Sequence, residues 1–135
     1  MINLIVVTHG RMGEELLKCA EGIVGKQAGV QVVGLECDEG PAALEERLKA
    51  AMEKSPSEAG TLVLTDMLGG TPCNVAMKAF RDPRVHCDVV TGVNLPMLIS
   101  ALTNRHYMPL DQLAQKLVDD APRNIARPLQ KLRGI

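Results

Sequence analysis

Four apolar stretches rich in Val, Ile and Leu recur along the chain, at residues 2–8, 30–36, 61–66 and 86–91. Two of them are nearly unbroken apolar runs, the pattern of strands covered on both faces of a parallel sheet. A helical period follows each one. Leu16, Leu17, Ala20 and Ile23 share a face after the first run and stop near Gly25. After the second come Ala43, Leu44, Leu48 and Met52, behind a Pro41 suited to the first turn of a helix. After the third, Thr71 and Pro72 read as an N-cap and a first helical position, leading into Val75, Ala76, Ala79 and Phe80. After the fourth, Asn94 and Pro96 open a segment carrying Met97, Leu98, Ala101 and Leu102. The helical pattern continues over 110–118 and 125–132, punctuated by Pro109, Pro122 and Pro128.

Alternation of strand and helix predicts an α/β fold: a single three-layer domain over 1–135, with a mainly parallel sheet and helices on both faces. Residues 54–60 read as a helix-to-strand loop and not as a domain boundary. Right-handed crossovers restrict the topology, and the expected strand order begins 2-1-3-4. Strands 1 and 3 are then neighbours, with the chain reversing direction between them. Ligands of such sheets bind at the carboxyl ends of the strands at that point. The residues placed there are His9 and Gly10 after the first strand, and 66–72 after the third.

Composition narrows the chemistry. The formal net charge of -1 argues against a nucleic-acid partner, which calls for a basic face. Phe80 and Tyr107 are the only aromatic residues besides histidine, so base stacking lacks a platform and the core must be aliphatic. No run reaches the ~20 apolar residues that span a bilayer, and the start lacks a charged region and a small-residue cleavage site. The expectation is a cytoplasmic chain that does not itself span a membrane. Cys19, Cys37, Cys73 and Cys87 form no CxxC pair, which suits neither zinc nor a redox couple and fits reduced thiols.

A histidine and a carboxylate at the ends of adjacent strands stand ~4.8 Å apart in backbone spacing, close enough for their side chains to meet. A carboxylate bonded to one ring nitrogen fixes the tautomer and aims the other nitrogen outward. It also stabilises a ring that becomes cationic or phosphorylated. Gly69 and Gly70 permit close backbone approach, and the helix start after them offers N–H groups to an anion. A second helix begins just after His9-Gly10. Taken singly these residues also fit plain roles: His9 as a structural strand end, Asp66 as a turn residue, Gly-Gly as an ordinary loop. His86 falls at the amino end of strand 4, away from this site, and His106 in a loop with Asn104 and Arg105; both read as structural or solvated. Arg11 fits either a contact to phosphate or an acidic partner, or a surface helix position.

Three blocks in order, Thr8-His9-Gly10, Asp66-x-x-Gly69-Gly70-Thr71-Pro72-x-Asn74 and Gly92-Val93-Asn94-Leu95-Pro96-Met97-Leu98, resemble the IIA component of the mannose/fructose-type sugar phosphotransferase system. The resemblance spans about residues 1–130. It implies that His9 is phosphorylated and Asp66 orients it, with Gly10, Gly69, Gly70, Thr71 and Asn74 shaping the phosphoryl site. It implies a donor, the phosphohistidine of HPr, an acceptor histidine on a IIB component, a homodimer, and neither metal nor organic cofactor. Neutral His9 would attack in line, with backbone N–H groups near Gly10 and Thr71 holding the phosphoryl oxygens. The sequence departs from the family at Leu68 and Cys73, where aromatics are frequent, so the rim met by partners differs. Some members carry a swapped strand after the last helices; here 125–135 is a weak candidate and reads more helical. No IIB domain follows Ile135, which suggests a stand-alone IIA.

Alternatives from the same residues are a regulatory IIA whose phosphorylation state controls partner binding, or a phosphotransfer subunit for dihydroxyacetone phosphorylation. A histidine phosphatase or mutase would place arginine directly before His-Gly, where this chain has Thr8. A flavodoxin-like binding module would need well-placed aromatics to stack on the flavin. Finally, 93–102 is apolar on more than one face, which predicts Leu95, Leu98, Ile99 or Leu102 in a dimer interface.

Overall fold

A computed structural model describes residues 1–134. The strands are β1 (Asn3–His9), β2 (Val30–Leu35), β3 (Thr61–Thr65) and β4 (Cys87–Val90). The helices are α1 (Met12–Val24), α2 (Pro41–Lys54), α3 (Thr71–Ala79), α4 (Leu95–Asn104), α5 (Leu110–Asp120) and α6 (Pro128–Leu132), with a 3₁₀ turn at Ala121–Asn124. The sheet order is β2-β1-β3-β4 and every pairing is parallel, as the alternation of patterns predicts.

Side-chain alternation along the central strands builds two cores. Leu4 and Val6 of β1 join Leu62 and Leu64 of β3 beneath α1, α4 and α5. Ile5, Val7 and Val63 face the other way, under Leu44 and Leu48 of α2 and Val75 and Ala76 of α3. Both faces of β1 and β3 are therefore dry, which is why these two strands read as continuous apolar runs. The register sets His9 beside Leu35 and Val7 beside Thr65, so β1 runs two residues past its last pairing with β3 and leaves His9 one step beyond Asp66, within reach of its side chain.

Three expectations are corrected. The N-cap of α3 is Gly70, in extended conformation, and Thr71 is the first helical residue without a side-chain cap bond. The chain leaves β3 through a turn one residue shorter than the capping pattern implies. Leu98 and Leu102 are consumed by the chain's own core, at 0% and 1% exposure, because α4 is wedged between the sheet, α1 and α5. They are closed to any partner, whereas Leu95 and Ile99 stay half-buried. Strand 4 is shorter than its apolar run, and His86 precedes it at the amino end of the sheet. In the C-terminal segment the helical reading over 125–132 holds only for its second part: 125–127 are irregular, and α6 is a short helix with no buried residue. Ile135, the last residue of the swapped-strand candidate, lies outside the described residues. Among the described residues no helix is long and apolar enough to cross a membrane.

Candidate active site

His9 is the last residue of β1, and Asp66 is the first after β3. A single Asp66 oxygen, Oδ2, accepts from the His9 backbone N–H at 2.8 Å and from the His9 ring Nδ1 at 2.7 Å. The other oxygen, Oδ1, accepts from the Met67 amide at 3.0 Å. Three donors thus immobilise the carboxylate. The Asp66 side chain is 10% exposed and the His9 side chain 49%. Burial alone would raise the Asp66 pKa. Hydrogen bonds from the His9 amide and ring, followed by the attraction of His9, outweigh it and hold the carboxyl below its ordinary value. An ionised Asp66 accepts, so Nδ1 donates, which in the neutral ring places the free lone pair on Nε2. Nε2 has no protein partner among the described residues.

Two helices start beside this ring. Gly10 turns the chain from β1 towards α1 with φ of 53°, and Gly69 turns it towards α3 with φ of 81°. Both values lie in the left-handed region that glycine adopts without strain. A Cβ built on Gly70 would stand 3.3 Å from His9 Cε1 and 2.9 Å from Met67 Cγ, so the glycine lets the imidazole settle against the loop. Asn74 braces the same loop, donating from Nδ2 to the Gly69 carbonyl at 3.2 Å. The third sequence block takes part as well. Its Val93 amide donates to the Thr65 carbonyl at 2.9 Å, tying the β4–α4 loop to the strand end that carries Asp66.

The donor inventory revises one expectation. The Gly10 N–H is engaged by the Leu35 carbonyl at 2.9 Å, extending the β1–β2 ladder one step past the strand. Gly10 shapes the turn and is no donor for an anion. The amides that suit one belong to the first turns of α1 and α3, at Arg11, Met12, Thr71 and Cys73, where helix geometry leaves N–H groups without intrahelical acceptors. Arg11 is held by Glu14 at 3.6 Å and Glu15 at 3.5 Å, on the exposed face of α1.

The remaining histidines lie elsewhere. His86 Nδ1 meets the Glu58 carbonyl at 3.3 Å at the amino end of the sheet, and His106 is exposed beside Tyr107. Among the described residues no three His, Cys, Asp or Glu side chains gather as a metal ion requires. Sequence reasoning overlooked Gly13 and Gly34, and treated Thr8 only as part of a motif. The signals were a polar residue closing an apolar strand and a glycine inside a Val-rich one, the mark of a close backbone approach.

Residues 3–118 match the family described as EIIA-man, PTS system fructose IIA component. The chain is 33% identical over 135 residues to the PTS system mannose-specific EIIAB component of Escherichia coli (strain K12), covering 96% of this chain and 42% of that one. It thus spans less than half the length of that relative. It is 32% identical over 117 residues to the PTS system fructose-specific EIIA component of Bacillus subtilis (strain 168), covering 87% of this chain and 80% of that one. Among solved structures, the mannose/sorbose specific IIA subunit of the phosphotransferase system from Enterococcus faecalis superposes with a TM-score of 0.85 at 35% identity, over 93% of each chain.

Proposed function

This chain belongs to the EIIA-man family of PTS fructose IIA components, and on that premise we propose that it is a cytoplasmic phosphocarrier that takes a phosphoryl group on His9 Nε2. The observation that carries the reading is the bond between His9 Nδ1 and Asp66 Oδ2, which leaves Nε2 as the nucleophile. The donor is the phosphohistidine of HPr and the acceptor a histidine of a IIB component, the partners expected of the family.

In the transfer, the Nε2 lone pair attacks phosphorus in line. The new N–P bond forms as the donor's N–P bond breaks, and the donor imidazole leaves with that electron pair. Positive charge develops on the His9 ring, and Asp66 stabilises it through the proton that stays on Nδ1. The amides of the two helix starts face the phosphoryl oxygens. Delivery to IIB runs the same steps in reverse, with His9 as the leaving group. No cofactor enters, because the chemistry needs position and charge stabilisation alone. Exposed Met12, Met67 and Leu68, at 43%, 56% and 80%, supply an apolar rim on which partner proteins can seat.

The reading includes a homodimer, supported by the exposure of Ile125, Leu129 and Leu132 at 79%, 59% and 82%. Sedimentation at micromolar concentration is expected to give twice the 14.5 kDa chain mass, and monomer alone would remove the dimer from the reading. The decisive experiment is incubation with phosphoenolpyruvate, Enzyme I and HPr followed by intact-mass analysis. Wild type should gain one acid-labile, base-stable phosphoryl group and His9→Ala none. No gain in wild type, with HPr itself phosphorylated, would overturn the reading.

A further inference from the structure

We infer that Thr8 is a positioning residue for phosphoryl transfer: its hydroxyl clamps the turn between His9 and α1, so that the first amides of α1 stand where phosphoryl oxygens on His9 require them. The inference rests on the phosphocarrier reading of His9.

Thr8 is fully buried, on the face of β1 that packs against α1. Its Oγ1 accepts from the Gly13 backbone N–H at 2.8 Å and donates to the His9 carbonyl at 3.2 Å. One hydroxyl therefore holds both ends of the turn 9–13. Gly13 is the second residue of α1, and its N–H is one that helix geometry leaves without an intrahelical acceptor. The N-cap of α1 is Arg11, which makes no side-chain cap bond. Thr8 thus does from the neighbouring strand what an N-cap hydroxyl does from within the chain of the helix. It also leaves the outer amides of the first turn free for an anion.

The rest of the turn is built to the same tight tolerance. A Cβ on Gly13 would lie 3.1 Å from Thr8 Oγ1, from Val6 Cγ1 and from Val32 Cγ1, so the first turn of α1 is pressed onto the sheet. On the other side, a Cβ on Gly34 of β2 would fall 2.2 Å from the Gly10 carbonyl oxygen. That atom is backbone and cannot swing aside. The turn is thus fixed by a hydroxyl beneath it, a glycine beside it and the bond from the Gly10 amide to Leu35. Preorganised dipoles aid a reaction only when they already point at the developing charge, and a displacement of ~1 Å costs about a hundredfold in rate.

The test compares wild type with Thr8→Val, which keeps the shape and removes the hydroxyl, and with Thr8→Ser, which restores it. Phosphoryl uptake from phospho-HPr is followed across donor concentration, and amide exchange at Gly13 is followed by NMR in the unphosphorylated protein. In Thr8→Val the saturating rate should fall between about tenfold and a hundredfold at unchanged KM for phospho-HPr, with faster exchange at Gly13. Thr8→Ser should recover both to within about threefold. Gly34→Ala, which pushes the turn from β2, should lose saturating rate in the same way. It decides the matter if Thr8→Val does not fold. A folded Thr8→Val, or in its absence a folded Gly34→Ala, that works at the wild-type saturating rate overturns the inference. So does a Thr8→Ser as slow as Thr8→Val. If wild type takes no phosphoryl group from active phospho-HPr, the reading of His9 falls first and this inference falls with it.

Discussion

One carboxylate oxygen serves both the backbone and the ring of His9, so Asp66 sets the position of the residue and its tautomer together. Asp66→Asn replaces a charged acceptor with a neutral amide, and the ring is then free to carry its proton on Nε2. Phosphoryl uptake should fall by about two to four orders of magnitude with the fold intact, checked by a mass time course beside circular dichroism. The carboxyl also contributes pH-dependent stability. Its pKa is depressed in the folded protein, so its contribution is complete above the ordinary value of about 3.9 and is lost as pH falls through the lower folded value. Denaturant titrations across the acid range should therefore show a steeper loss in wild type than in Asp66→Asn. Residues of the same type differ sharply with place. Cys19 and Cys37 are exposed, Cys73 is buried, and burial together with Asp88 pushes the Cys87 thiol up to about 11. A thiol reagent at neutral pH should label Cys19 and Cys37 rapidly, with Cys73 and Cys87 protected until unfolding.

At the scale of elements, α4 shows how pattern and packing diverge. Its apolar residues cover more than one face, which in an outer helix signals a partner. Here the helix meets the sheet, α1 and α5, and Met97, Leu98, Ala101 and Leu102 are all buried within the one chain. A periodic pattern tells how many faces are covered and not by what. Leu98→Ala should cost about 3 kcal/mol in urea unfolding, as expected for a leucine with no exposed surface. The start of α4 was legible: Asn94 Oδ1 accepts from the Met97 amide at 3.0 Å, and Asn94→Ala should cost about 1 kcal/mol. The start of α3 was legible only to one residue, because Thr and Pro are favourable both at the cap and just inside it.

Across the whole molecule, the end of the sheet opposite His9 is held by a residue that the sequence places in a loop. Arg105 is 2% exposed. Its Nη1 donates to the Gly29 carbonyl at 3.1 Å, and its Nη2 to Gln27 Oε1 at 3.0 Å and to the Ala28 carbonyl. It joins the end of α4 to the loop that leads into β2. Burial pulls its pKa below the usual guanidinium range, with backbone and amide oxygens in place of a carboxylate. Arg105→Met should destabilise the fold by about 3 kcal/mol or more in chemical unfolding, through the oxygens left unpaired, while phosphoryl uptake per folded molecule stays unchanged. The sequence by itself determined the α/β class, the strand order, and the meeting of His9 with Asp66. Each follows from local rules: the period of apolar residues, the hand of the crossovers, and the reversal between strands 1 and 3. Only the tertiary structure decided which amides of the site are engaged, why Thr8 and Gly34 border it, and that Arg105 and the Met97, Leu98, Ala101 and Leu102 side chains of α4 are interior. Those outcomes depend on contacts between segments far apart in the chain, where a shift of one residue or one ångström changes which atom meets which.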